Sequence, residues 1–116
     1  MSATMQGRVS VVIPTFNCAA FLPRAIDSAL TQDYPDLEVI VVDDGSTDAT
    51  PEVMERYAGR IVAIHQDNRG ASAARNAGVR AATGEFVAFL DADDEYLPGR
   101  IGRCVRPMID DPTIGM

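Results

Sequence analysis

Between positions 91 and 95 the chain carries four acids, Asp91, Asp93, Asp94 and Glu95, interrupted only by Ala92. They follow directly on an unbroken apolar run, Phe86-Val-Ala-Phe-Leu90. Carboxylates held this close repel one another, so folding gains nothing by collecting them. A divalent cation bridging to a phosphate removes the repulsion. Hard cations such as Mg²⁺ take oxygen ligands, commonly one or two carboxylates together with phosphate oxygens of a substrate. A solvated acidic turn is the plain alternative, and the run alone does not decide between the two. A second acidic pair, Asp43-Asp44, also closes an apolar run, Val39-Ile-Val-Val42, and leads into Gly45-Ser46. Arg75 stands among small residues, beside Asn76, in Ala71-Ser-Ala-Ala-Arg-Asn-Ala-Gly78. A guanidinium there can reach a phosphate or buttress the acidic loop by a bidentate pair, with a structural salt bridge as the rival reading.

Composition narrows the chemistry. The net charge is -7, which argues against a general nucleic-acid binder, because phosphate contacts need a basic face. All ten basic residues are arginine. Without lysine, a Walker-type phosphate loop, a Schiff-base enzyme and a receiver domain are excluded. Cys18 and Cys104 show no C-x-x-C spacing and read as reduced, structural thiols. No apolar signal-like region precedes Val9 and no apolar run reaches transmembrane length, so the expected setting is cytoplasmic, with peripheral membrane association left open. At 116 residues, 47% of them hydrophobic, one domain with a real core is expected, short for an enzyme.

The elements that position these groups follow from pattern. Residues 1–8 read as a flexible leader. Val9-Ser-Val-Val-Ile13 is a β-branched strand halted by Pro14. Leu22, Ile26 and Leu30, with Ala25 and Ala29, make one apolar helix face, and Pro23 suits the first turn. Glu38–Val42 is a second strand. Thr50-Pro51 reads as N-cap and first residue of a helix ending near Gly59. Arg60–Ile64 is a third strand, with Gln66–Gly70 as its exit loop. Ala71–Ala82 is a helix whose Gly78 implies close backbone approach to the sheet. Phe86–Leu90 is a fourth strand, expected to be buried on both faces. Pro98 to about Met108 forms a last helix. Such alternation predicts parallel pairing by right-handed crossovers, an α/β layered domain. Ligands of open parallel sheets sit beyond the carboxyl ends of the strands. Three of those ends are Pro14–Asn17, Asp43–Ser46 and Asp91–Glu95, which should share one edge.

At this point the motifs resemble a known family. Val9–Asn17 (VSVVIPTFN), Val41–Thr47 (VVDDGST), Asn68–Gly78 (NRGASAARNAG), Gly84-Glu85 and Phe89–Pro98 (FLDADDEYLP) together resemble family 2 glycosyltransferases, from about Val9 to Met116. The resemblance implies a Rossmann-like GT-A nucleotide-binding half, with a mainly parallel four-stranded sheet and flanking helices. It also implies a nucleotide-diphosphate sugar as donor, Mn²⁺ or Mg²⁺ as cofactor, and transfer with inversion. Pro14, Thr15 and Phe16 would line the base pocket, with Phe16 stacking on the base. Many relatives have tyrosine at that position, and the rival reading of Phe16 is a core ring. Asp44 would accept the ring N–H of a uracil-like base, while Asp43 braces the turn. A plain Asp-Gly turn is the alternative. Asn68 and Gly70 would shape the loop by which the donor approaches. Asp91 would bind the ribose hydroxyls, Asp93 the metal against both phosphates, and Asp94 would support them. His65 reads as a packing or surface residue.

The resemblance also implies what lies elsewhere. The family's general base belongs to a later half, beyond Met116, so no catalytic residue is expected in this chain and the acceptor (saccharide, lipid carrier or protein) stays open. Thr113–Met116 reads as the opening of a further strand, so 9–116 is expected to be the donor-binding part of a longer domain. An edge left open there would favour a homodimer. Two rivals remain. Asp91-Ala92-Asp93 also resembles the motif of aspartate-nucleophile phosphotransferases. That motif follows the first strand, has Thr or Val where Glu95 stands, and is joined by a lysine. The other rival is a non-catalytic nucleotide-binding or scaffold domain. A dinucleotide oxidoreductase is disfavoured, since no G-x-G-x-x-G follows the first strand.

Overall fold

The computed structural model describes residues 7–101; the leader's first six residues, most of the expected last helix, Cys104 and Thr113–Met116 lie outside that range. Strands and helices alternate as β1 (Val9–Thr15), α1 (Leu22–Leu30), β2 (Leu37–Asp44), α2 (Thr50–Glu55), β3 (Val62–Gln66), α3 (Ala71–Ala81) and β4 (Phe86–Phe89). All pairings are parallel and the sheet order is β3-β2-β1-β4.

That order dictates the layers. The steps from β1 to β2 to β3 move one way across the sheet, so right-handed crossovers put α1 and α2 on one face. The step from β3 back to β4 runs the other way, which sends α3 to the opposite face. Packing agrees: Val9, Val11, Ile13, Val39 and Val41 meet Leu22, Ile26, Val53 and Met54, whereas Val12, Ile40 and Val42 meet Ala74. Alternate residues of β1 and β2 thus feed two cores, which is why both strands read as continuous apolar runs. On α1 the buried positions are Leu22, Ala25, Ile26 and Ala29, spaced as one helical face, with a proline in the first turn. The reversal of direction leaves a crevice at the carboxyl ends of the strands, beside β1.

Several expectations need correction. β1 is not halted by Pro14 but runs on, paired with β2, to Thr15, because β4 flanks it only as far as Val12 and the missing donor breaks no ladder on that side. β4 is not buried on both faces: Phe86, Val87 and Ala88 are half-buried and Phe89 is exposed, because β4 is an outer strand of the described sheet. Thr50 is not the N-cap of α2; that place is taken by Ala49, and the Asp48 carboxylate accepts the Thr50 N–H at 2.9 Å instead. A carboxylate two residues earlier does the work a threonine hydroxyl was expected to do. α2 also stops at Glu55, short of Gly59, and β3 begins at Val62 rather than Arg60, after a single bridge between Ala58 and Ile61.

Gly78 does meet the sheet. A Cβ there would lie 2.3 Å from Val12 Cγ1, and Val12 is fully buried between sheet and helix. Alanine would gain about 1 kcal/mol of helix propensity. Forcing a methyl into a packed core costs about 1–3 kcal/mol. We therefore expect Gly78→Ala to lower stability by up to about 2 kcal/mol, read as a reduced midpoint with unchanged slope in urea unfolding. A raised midpoint would mean that α3 rides farther from β1.

The amino-terminal edge of the sheet, away from the crevice, is tied by Glu38. Its Oε2 accepts the Ser10 hydroxyl at 2.6 Å, the Thr83 N–H at 2.9 Å and the Thr83 hydroxyl at 3.0 Å. Gly84 completes the knot, donating its N–H to Ser10 Oγ at 2.9 Å. A Cβ on Gly84 would come within 2.8 Å of the backbone Arg8 carbonyl and Ser10 nitrogen. That close approach is the physical content of the Gly84-Glu85 motif.

Candidate functional site

The crevice is a cleft of about 600 Å³ lined by Pro14, Thr15 and Phe16 after β1, Asp44 at the end of β2, Asn68 and Gly70 before α3, Ala74 and Arg75 on α3, and Asp91, Ala92 and Asp93 after β4, with Cys18 beside them. All seven positions singled out from the sequence, Pro14, Thr15, Phe16, Asp44, Arg75, Asp91 and Asp93, are in its wall. Asp94 and Asp43 are not.

The exit loops of β1 and β2 are laced together, which fixes the upper wall. Asn17 adopts φ 50°, a left-handed conformation that asparagine tolerates. Its N–H donates to Ser46 Oγ at 2.9 Å, and its Oδ1 accepts the Thr47 N–H at 2.8 Å. Next to it the Ala19 N–H donates to Asp48 Oδ2 at 3.2 Å and the Cys18 N–H to Thr50 Oγ1 at 3.2 Å. Phe16, on this laced loop, is 46% exposed, so it is not a core ring. The Cys18 thiol donates to the Phe16 carbonyl. Partial burial pushes that thiol's pKa up, and nearby Asp93 and Asp48 add to the rise, so Cys18 is a neutral wall residue, not a nucleophile.

Asp44 is buried, and its carboxylate organises the second wall. Oδ1 accepts the Gln66 side-chain amide at 2.9 Å and the Arg69 N–H at 2.8 Å; Oδ2 accepts the Gly70 N–H at 2.9 Å. Burial alone would raise its pKa, but these hydrogen bonds and the Arg69 charge outweigh it, and the group is held below the usual carboxylate range. Gly45 permits the approach: its φ is 75°, and a Cβ would lie 2.6 Å from the Asn68 nitrogen. Asp44 is therefore more than a turn residue. Asp43 braces the turn as expected, accepting the Ser46 N–H at 3.0 Å, and its other oxygen meets His65 Nδ1 at 3.1 Å. Parallel register sets Asp43 directly opposite His65, so the histidine is exposed yet engaged.

Asp91 and Asp93 are exposed, and neither carboxylate makes a side-chain hydrogen bond or ion pair among the described residues. Arg75 is likewise exposed and unpaired there, so it is not a structural salt bridge within that range, and it does not buttress the acidic loop. Arg24 of α1 does: its Nη2 donates to the Asp93 carbonyl at 2.9 Å and its Nε lies 3.6 Å from Glu95 Oε1. Sequence reasoning missed Arg24, Gln66 and His65. Only the i, i+4 spacing of polar residues on α1 offered a signal, and only for the first.

No cluster of three or more histidine, cysteine or acidic side chains able to hold a metal occurs among the described residues. An ion of the Mg²⁺ or Mn²⁺ type needs no such cage, taking one or two carboxylates and completing its shell with phosphate and water. Two free carboxylates facing a cleft that also holds a free guanidinium fit that pattern.

Lowered pKa values recur at three carboxylates. For Asp48 the Thr50 hydroxyl is the chief cause; for Glu38 and Asp44, hydrogen bonds overcome a larger burial effect. A carboxylate with a depressed folded pKa contributes stability above its unfolded value, about 4, and loses it as pH falls through the lower folded value. The thermal midpoint should accordingly be flat from neutrality to about pH 5 and fall steadily below that. Glu38→Gln should make the acid limb shallower. A midpoint constant down to pH 3 would contradict these networks.

An all-parallel sheet with this cleft across its strand ends is an α/β, Rossmann-like half of the GT-A kind. Over residues 10–116 the sequence matches the family described as Glycosyl transferase family 2, and the chain belongs to that family. An uncharacterized glycosyltransferase of Nostoc sp. is 43% identical over 113 residues, 94% of this chain and 35% of that protein. The chondroitin synthase of Pasteurella multocida is 39% identical over 109 residues, 91% of this chain and 11% of that protein. Among solved structures, the mannosyltransferase PcManGT of Pyrobaculum calidifontis, in complex with GDP-Man and Mn²⁺, matches with a TM-score of 0.86 at 36% identity, over 97% of this chain and 35% of that one. S. aureus TarS 1–349 in complex with UDP-GlcNAc gives a TM-score of 0.74 at 33% identity, over 90% of this chain and 31% of that one. The chain thus spans about a third or less of the length of the relatives named here.

Proposed function

We propose that this chain is the donor-binding part of an inverting, metal-dependent glycosyltransferase. In this reading it holds the nucleoside diphosphate of a nucleotide-diphosphate sugar, with uridine the preferred nucleoside. The observation that carries the proposal is the gathering of seven residues from three strand ends and α3 in one cleft wall.

The roles follow from chemistry and exposure. Phe16 offers a half-exposed ring on which a base can stack. A carboxylate has about four acceptor sites, and three at Asp44 are taken by Gln66, Arg69 and Gly70. The one left suits a base edge with a single ring N–H, as in uracil or thymine, better than the two adjacent donors of guanine. Asp91 accepts from ribose hydroxyls. Arg75, a cation without a carboxylate partner among the described residues, faces the diphosphate. Asp93 holds Mn²⁺ or Mg²⁺, whose chemistry when bound is to stabilise the charge gathering on the departing diphosphate. The proton of the acceptor hydroxyl is taken by a base outside this chain, so the 116 residues alone transfer no sugar.

The test is a thermal-shift panel of UDP, TDP, GDP and CDP on the full-length protein, with and without Mn²⁺. Ligand at 100 times its Kd stabilises by about 2.7 kcal/mol, an easily read shift. UDP with Mn²⁺ should give the largest shift and CDP the smallest. Equal shifts for all four, or none with metal, would favour a scaffold role.

A further inference from the structure

Three polar residues on one side of α1 and just past its end, Arg24, Ser28 and Gln32, recur every four positions, so they form a stripe along a helix otherwise buried by Leu22, Ala25, Ile26 and Ala29. Every one of them is spent on the segment after β4. Arg24 Nη2 donates to the Asp93 carbonyl at 2.9 Å. The Tyr96 N–H donates to Ser28 Oγ at 2.9 Å. Gln32 is buried and bridges twice, its Nε2 donating to the Leu97 carbonyl at 2.9 Å and its Oε1 accepting the Ile101 N–H at 2.9 Å. Tyr96 adds a tie from within, its hydroxyl donating to the Phe89 carbonyl at 2.6 Å, while its ring and Ile101 are buried in the α1 core.

We infer that this stripe is a positioning clamp for the metal-binding aspartate: α1 sets where the Asp93 carboxylate stands relative to the cleft. The inference rests on the donor-binding reading of Asp93 and adds to it residues that touch neither nucleotide nor metal. The physical reason lies in the loop itself. From Leu90 to Gly99 the chain has no regular secondary structure, so its backbone groups must find partners outside a ladder. Three of them, the Asp93 and Leu97 carbonyls and the Tyr96 N–H, find α1 or its end, and the Ile101 N–H just beyond does the same. An exposed carboxylate on an unheld loop would spread over many positions and bind an ion weakly; held at its own carbonyl, it is pre-organised. Ser28 and Gln32 fix the far end of the loop, and Arg24 fixes the residue that bears the ligand.

The experiment separates positioning from plain stability. On the full-length protein, the Kd of UDP is measured with and without Mn²⁺ for wild type, Arg24→Gln, Arg24→Lys and Gln32→Met, with backbone hydrogen exchange at Tyr96 and Ile101 recorded in parallel. Removal of groups that orient metal ligands typically costs 10–100-fold in metal affinity. Arg24→Gln is therefore expected to raise the UDP Kd about tenfold in Mn²⁺ and to leave the metal-free Kd unchanged, with Arg24→Lys recovering part of the loss. Gln32→Met should do the same while speeding exchange at Ile101. If that variant does not fold, exposed Arg24 still carries the test. Equal Kd changes with and without metal, or none in Mn²⁺, would overturn the clamp. A wild type without any Mn²⁺ increment would overturn the donor reading first, and the clamp with it.

Discussion

Replacing Asp93 with alanine in the full-length protein is expected to cut sugar transfer by a factor of about 10³ while leaving the thermal midpoint where it was. The two halves of that statement come from the same observation. Asp93 is exposed and its carboxylate is bonded to nothing among the described residues, so folding does not depend on it. Exposed substitutions of this sort alter stability by less than about 0.5 kcal/mol. The metal it is proposed to hold stabilises a leaving group by several kcal/mol, and each 1.36 kcal/mol is about tenfold in rate. Steady-state transfer assays across a Mn²⁺ titration check the first half and a melting curve the second. An unchanged rate would favour the non-catalytic reading. A collapsed midpoint would mean that Asp93 has a structural duty its surroundings give no sign of.

Asp44→Ala should behave in the opposite way, losing stability first. Alanine there leaves the Arg69 and Gly70 N–H groups and the Gln66 amide without their acceptor in a part-buried place. Each unsatisfied group costs about 1–3 kcal/mol, and water entering the cleft recovers part of that. A net loss of about 3 kcal/mol is expected, measured by urea unfolding, together with loss of the loop geometry that receives a base. Asp44→Asn is the sharper probe. It keeps one acceptor oxygen and turns the other position into a donor, which a uracil N–H cannot meet. Uridine selectivity should therefore fall even at temperatures where the variant is folded. If Asp44→Asn bound UDP and CDP in the wild-type ratio, the base would sit elsewhere in the cleft.

The frame was legible because it depends on local signals. β-branched runs gave β1 and β2, and long connections gave parallel pairing. Pro14 did not mark the end of β1, because β4 pairs with that strand only as far as Val12 and a proline beyond it breaks no ladder there. The convergence of Phe16, Asp44, Asp91 and Asp93 followed from one general rule, that parallel strands carry their exit loops to a common edge. What stayed hidden depends on order and side. Whether β4 is flanked is a property of the sheet, not of Phe86–Phe89, so its exposure could not be read from its hydrophobicity. The bracing of the acidic loop was assigned to Arg75 or left open, yet it belongs to Arg24. Leu90, Ala92, Tyr96 and Ile101 turn under the face that carries α1, whereas Arg75 rides on α3 across the sheet. The His65–Asp43 contact arises from strand register, and no pattern within Ile64–Gln66 announces it. The capping of α2 by Asp48 was hidden by a better-known sequence, Thr50-Pro51, two residues on.

The claim on which the account turns is that one metal-bearing nucleoside diphosphate touches three separate exit loops at once. Paramagnetic broadening tests it directly: backbone amide resonances of the full-length protein are followed on adding UDP, first with Mg²⁺ and then with trace Mn²⁺. The account predicts shifts at Phe16, Asp44 and Asn68 in both conditions, and broadening by Mn²⁺ that is strongest from Asp91 to Asp94 and reaches Arg75. Broadening confined to other acids, or shifts that spare either the Asp44 loop or the Asp93 loop, would contradict it.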